Sequence, residues 1–290
     1  MAHSDALPLN FPQTFLPERR LLAQLLPFAT MNGQGDKVSI GLQTNIPTGA
    51  STGKVEPIIR YAEGMGMVTT QRASGVWQLG LTPLGRLIFQ EDAFLSEAQT
   101  LWLLHLMLSR RHTLTVPAVG VADSWFALFA EGVFRLGNRF TQKNFLEFLM
   151  HRHGDKGYLK SLSGIVIRSY LEDSCFGRIN ALQEDAVNGE KFLIRQSAPF
   201  KKSFFPAYAA YLCLIWDELF PNEKQVSLDL FSIQSRCFSV MAWDETRVAG
   251  WLDWMVDQGI IQVDRYTGSP ILLRVQGTDK VIDKIYDSMT

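Results

Sequence analysis

The chain is poor in the features that assign a function quickly. Its 290 residues carry a formal net charge of −1, so no global field draws it to nucleic acid, and any phosphate contact must come from a local patch. It has three cysteines, Cys175, Cys213 and Cys237, widely spaced and not grouped with histidine at zinc-ligand spacing. That excludes a disulfide framework and a zinc finger, and fits buried thiols in a reducing cytosol. Long apolar runs are missing. The most apolar stretches, 101–108 and 207–216, are too short to cross a bilayer. Residues 1–15 hold Asp5 and two prolines where a signal peptide has an apolar core. A cytoplasmic protein without a membrane span is the expectation.

Catalytic patterns are missing as well. There is no G-x-S-x-G elbow, no H-E-x-x-H and no paired-carboxylate or nuclease signature. His151 and His153 have no Cys, Asp or Glu cluster at ligand spacing, and His105 interrupts an apolar run. A surface pair and a core histidine account for them. The segment from Gly49 to Lys54 approaches a P-loop, but three residues separate its glycines instead of four, and Val55 stands where a magnesium-binding hydroxyl belongs. The expectation is a protein that is not an enzyme, with no cofactor and no metal.

What is present is ample apolar material: 47% of residues, with 19 Phe, 7 Trp and 7 Tyr. Each interior aromatic buries roughly 150–250 Å², enough for two or three domains at this length. A pattern also occurs twice, offset by 193 residues. Lys54, Val55, Ile58, Ile59 and Ala62 lead to Gly66-Met67-Val68; Arg247, Val248, Trp251, Leu252 and Met255 lead to Gly259-Ile260-Ile261. In both, apolar residues at helical spacing run into a glycine stop and then a hairpin. Polar start, amphipathic helix, glycine and hairpin make the order of a winged helix.

Around the first copy, 17–28 reads as a helix with Leu21, Leu22, Leu25 and Leu26 inward. Ser51 or Thr52 reads as the N-cap of the repeated helix. Strands at 67–70 and 76–79 flank a polar turn, and Thr82-Pro83 opens another helix. Residues 98–218 read as mostly helical, with a turn at Asn188-Gly189 and a short apolar run at 192–194. Around the second copy, 226–231 and 236–243 read as helices, Asp244 as an N-cap, and 260–264 and 271–275 as strands before a terminal helix carrying Val281, Ile282 and Ile285. The predicted class is mainly α (α+β): a winged helix over 1–95, a helical middle domain over 96–220 and a second winged helix over 221–290.

The charges are segregated. Residues 135–168 hold seven basic and two acidic side chains, whereas 217–264 hold nine acidic and three basic ones. The first copy offers Lys54, Arg60, Gln71 and Arg72, with Thr48, Ser51 and Thr52 as hydroxyl donors, for contact with a DNA backbone. Arg139, Lys143, Arg152 and Lys156 are auxiliary candidates. A capped surface helix and solvated helical faces account for the same residues. The second copy carries Asp244, Glu245, Asp253 and Asp257 against Arg247, which phosphates would repel. Its Trp251 and Trp254 mark it as a structural or protein-docking unit, with Trp251 at the core-facing position of Ile58.

The run from Pro47 to Glu56, followed by Arg60-Tyr61-Ala62-Glu63-Gly64-Met65-Gly66, resembles an uncharacterised bacterial family of winged-helix proteins. Further matches are Leu81-Thr82-Pro83-Leu84-Gly85, Asp92-x-Phe94-Leu95, Thr100-Leu101-Trp102-Leu103-Leu104-His105 and Tyr170-Leu171-Glu172-Asp173. The resemblance covers most of 10–175. Members are encoded beside phosphoadenosine-phosphosulfate-reductase-like enzymes in DNA sulfur-modification (phosphorothioation) and phage-defence islands. It implies an accessory DNA-binding or scaffold subunit in such a system. The expected partners are double-stranded DNA and proteins of the same system, with a homodimer as one arrangement. A scaffold that never touches DNA and a stand-alone transcriptional regulator remain open alternatives.

Overall fold

The computed structural model describes residues 6–49, 53–266 and 268–287. Within them the chain is of the α+β class, mostly helical, with three small antiparallel sheets. The first sheet joins β1 (Gln34–Gly35), β2 (Val68–Ala73) and β3 (Val76–Leu81). The second joins β4 (Arg139–Phe140), β5 (Leu182–Val187) and β6 (Glu190–Arg195), and the third β7 (Gln225–Ser227), β8 (Ile261–Asp264) and β9 (Ile271–Arg274). In every sheet the last strand lies in the centre: β1-β3-β2, β4-β6-β5 and β7-β9-β8.

The helices repeat with the sheets. A helix precedes each sheet: Arg19–Thr30, a continuous helical run over 123–135, and Phe205–Leu219. A short strand follows, then two helices, then the hairpin. Those helix pairs are Lys37–Thr44 with Val55–Gly64, Gln142–His153 with Leu159–Leu171, and Leu228–Ser235 with Glu245–Asp257; the short helix Cys237–Met241 is added in the third unit. The same local chemistry starts the first helix of each pair. Asp36, Thr141 and Ser227 stand at or just past the end of the short strand and accept the backbone N–H three residues on, from Ser39, Asn144 and Leu230. Such N-caps satisfy donors that a helix start leaves open.

The 193-residue repeat extends to register. Val68 pairs with Leu81 as Ile261 does with Arg274, and Gln34 pairs with Gln78 as Ser227 does with Ile271. The positions that sequence periodicity turns inward, Val55, Ile58, Ile59 and Ala62, and their counterparts Val248, Trp251, Leu252 and Met255, are all buried.

Three expectations change. Residues 96–220 contain a sheet as well as helices, so the middle of the chain has the same element order as its ends. Val226 lies in β7 and not in a helix. The helix Val55–Gly64 has Lys54 at its N-cap position, without a side-chain cap; Ser51 and Thr52 lie outside the described residues. A continuous apolar core runs from Leu7 to Tyr286. His105 is inside it, bonded through Nδ1 to the Tyr170 hydroxyl at 2.7 Å, and burial pushes its pKa down to about 3. No helix among the described residues is long and apolar enough to cross a membrane.

Candidate nucleic-acid interface

In the first unit the helix Val55–Gly64 and the β2–β3 hairpin bring Arg60 and Arg72 together on Trp77. The two guanidinium carbons lie 4.7 and 4.8 Å from the indole centre, and Trp77 is 1% exposed. Each cation also has a carboxylate: Arg60 bonds Glu63 at 2.8 Å and Arg72 bonds Glu56 at 2.7 Å. Glu63 further accepts the Thr70 hydroxyl at 2.6 Å. Lys54 pairs with Glu18. All three cations of this copy are therefore partly neutralised before any partner arrives.

Thr48 and Gly53 pair as an isolated bridge. A Cβ at Gly53 would sit 2.1 Å from the Thr48 hydroxyl, so the close approach of these two residues requires glycine there. Gln71 is exposed on β2. Arg60, Thr70, Arg72 and Trp77 also line a cleft of about 900 Å³, together with Arg110, Asp217 and Glu218. Arg110 holds Glu218 at 2.7 and 2.9 Å. The cleft mixes both signs of charge and does not form a cationic track.

The middle unit is arranged differently. Arg152 faces inward, bonding Asp123 at 2.6 and 2.8 Å and also the Ala118 carbonyl. That removes it from the auxiliary set, because its charge is spent holding the 112–121 loop to the helices. His153 Nε2 lies 3.0 Å from the same carboxylate. Burial raises the Asp123 pKa, but the Arg152 and His153 bonds outweigh it and bring it down to about 2. Arg139 stacks on Phe192 at 4.1 Å and pairs with Asp185 at 3.2 Å.

Lys143 and Lys156 point to solvent. The Lys143 side chain is 83% exposed, and the carboxylate it meets among the described residues, Glu147, is 3.9 Å away. Lys156 stands exposed just before the helix Leu159–Leu171, and no ion pair is formed by it among the described residues. The exposed face of that helix adds Lys160, Ser161 and Arg168 around the half-exposed Gly164. Sequence reasoning counts Lys160 and Arg168 in the charge tally but misses them as a site. The available signal is their spacing: 160, 164 and 168 lie four apart and share one face.

The corresponding helix of the third unit, Glu245–Asp257, exposes Glu245, Asp253 and Asp257. Trp251 is fully buried, edge-on to Trp243 at 5.7 Å, so it is a core residue and not a docking contact. Trp254 is half-buried against Phe205, 5.4 Å between ring centres, and lines a smaller hollow. Among the described residues no group of three or more His, Cys, Asp or Glu side chains is placed to hold a metal ion.

No family model matches the chain, and no curated protein matches it. Two solved structures share its fold. Magnesium ion-bound SspB superposes with a TM-score of 0.70 at 16% identity, over 97% of this chain and 87% of that one. A second SspB crystal structure gives 0.68 at 15% identity over the same shares. The likeness spans all three units, so the architecture of the whole described chain is one that SspB also adopts.

Proposed function

We propose that this chain is a DNA-binding accessory subunit of a bacterial DNA-modification or phage-defence system, built from winged-helix units. It contacts duplex DNA through the first unit and the basic middle region. The observation that carries the reading is the threefold recurrence of helix, short strand, helix pair and hairpin, with solvent-facing lysines on the middle copy. A helix pair followed by a hairpin is a shape that places a helix against a groove. The fold shared with SspB supports the architecture. The sulfur-modification context rests on the family resemblance of residues 47–66, 81–85 and 92–105.

In this reading Lys54, Arg60 and Arg72 contact phosphates, aided by Gln71 and by the Ser51 and Thr52 hydroxyls; the Thr48 hydroxyl is buried and drops out of the set. Arg139, Lys143 and Lys156 extend the contact. No catalytic step is assigned to the chain. The test is equilibrium binding of a mixed-sequence duplex across salt concentrations. Three neutralised phosphates give a log–log slope of about −2.7, or roughly a 40-fold loss from 50 to 200 mM salt. Affinity independent of salt contradicts the reading.

A second reading is a protein-interaction scaffold without DNA contact. The carboxylate partners of Lys54, Arg60 and Arg72 and the acidic face of the third unit favour it. It predicts stable co-purification with a neighbour-encoded enzyme and no salt-sensitive shift of duplex.

A further inference from the structure

We propose that the helix Leu159–Leu171 of the middle unit enters the DNA groove. Lys156, Lys160 and Lys143 hold the flanking phosphates, and Gly164 is the point of closest approach. This rests on the duplex-binding reading above and reverses its emphasis, from the first unit to the middle one.

Three equivalent helices within one chain allow a comparison. The first, Val55–Gly64, presents Arg60 between Glu56 and Glu63, and those carboxylates bind Arg72 and Arg60. The third, Glu245–Asp257, presents acids. The middle one presents Lys160, Ser161, Gly164 and Arg168, with Lys156 just ahead of it; Arg168 is paired with Glu172 at 2.6 Å, so the lysines carry its charge. Its thirteen residues span about 20 Å, and a major groove about 12 Å wide admits a helix. The start of the neighbouring helix Gln142–His153 lies beside the midpoint of this face: a Cβ built on Gly164 would be 3.5 Å from Gln142 Nε2. Lys143, next to Gln142 and well exposed, therefore flanks the same surface. Cations before, on and beside one helix are the arrangement that positions such an element on a backbone.

Gly164 supplies the independent observation. Glycine destabilises a helix interior relative to alanine, so its presence in mid-helix calls for a reason. Inside the protein there is none: its backbone is helical, and an added Cβ meets nothing closer than that Gln142 atom, an ordinary contact. The open side of the helix is where a missing side chain gains something, by letting an external surface approach the backbone. The hairpin of this unit is less suited to contact, since Glu184, Asp185 and Glu190 outnumber Lys191 on it. The helix, and not the β5–β6 hairpin, therefore faces the duplex.

The test uses the full chain, a mixed-sequence duplex of two to three helical turns and the matching single strand. Lys156→Ala/Lys160→Ala is expected to weaken duplex binding at least tenfold and to flatten the salt slope by about 1.8. Gly164→Ala is expected to raise the melting temperature yet weaken binding, a combination that a purely structural glycine does not produce. If both variants bind like the unaltered chain while Lys54→Ala/Arg60→Ala/Arg72→Ala loses affinity, the middle-helix assignment is overturned and duplex binding through the first unit stands. Equal affinity for the single strand also overturns groove entry. If the unaltered chain shows no salt-sensitive binding, the duplex reading itself fails and the inference falls with it.

Discussion

Gly66 and Gly259, 193 residues apart, close their helices with the same pair of hydrogen bonds. Each donates its N–H at 2.9 Å to the carbonyl three residues back, Glu63 or Val256. The next residue, Met67 or Ile260, donates at 3.0 Å to the carbonyl five back, Ala62 or Met255. Both glycines have positive φ, +74° and +64°, which is how a chain leaves a helix and turns into a strand. Alanine at either position should cost about 1–2 kcal/mol in urea-unfolding stability. Gly66→Ala should cost more than Gly259→Ala. Its Cβ would lie 2.8 Å from the buried Met107 methyl, whereas at Gly259 the nearest atom is 3.8 Å away.

Asp123 gives the fold an acid-sensitive joint. Its carboxyl titrates at about 2 in the folded chain, below the value near 3.9 of an unfolded aspartate. A depressed carboxylate contributes stability that is present above the unfolded value and lost as pH falls through the folded one. Roughly 2 kcal/mol should therefore disappear between pH 4 and pH 2. Asp123→Asn should abolish that contribution and destabilise the chain at pH 7, because Arg152 then keeps a part-buried charge without its partner. Denaturant midpoints measured across that range for both proteins check it.

The carboxylates around Trp77 set how much positive charge the first unit presents. Glu56→Gln/Glu63→Gln retains hydrogen-bonding groups while freeing Arg72 and Arg60 from charge pairing. If the first unit lies on the duplex, this variant should bind DNA more tightly at every salt concentration, because the arginines no longer have to leave a carboxylate to meet a phosphate. Unchanged affinity places those arginines away from the phosphates.

Cys175, Cys213 and Cys237 are buried and unpaired by disulfides, and burial pushes each thiol up to about 12. The thiolate is the reactive form. A thiol reagent at pH 8 should therefore label none of the three in the folded chain and all three in denaturant, as mass spectrometry of the adducts would show.

The outer units are legible in the sequence because their signals are local. Apolar residues three and four apart, a glycine stop and alternating strands mark Val55–Gly64 and Glu245–Asp257 with their hairpins. The middle sheet is harder to read. β4 has two residues, β5 is largely exposed, and the connection from Leu171 to Leu182 is longer than its counterparts. The offset of 114 residues from the first hairpin to the middle one thus has no run of matching apolar positions behind it. Charge pairing is invisible for a different reason. Lys54 meets Glu18 across 36 residues and Arg152 meets Asp123 across 29, so a list of cations overstates what is free. The face made by Lys160, Gly164 and Arg168 is readable by helical spacing once the helix is known.

The central claim, that this chain holds duplex DNA by neutralising phosphates, is tested most directly by its affinity for one duplex at several salt concentrations. The account predicts a straight log–log plot with a slope of about −2.7 or steeper. A flat plot, or no binding at low salt, would contradict it.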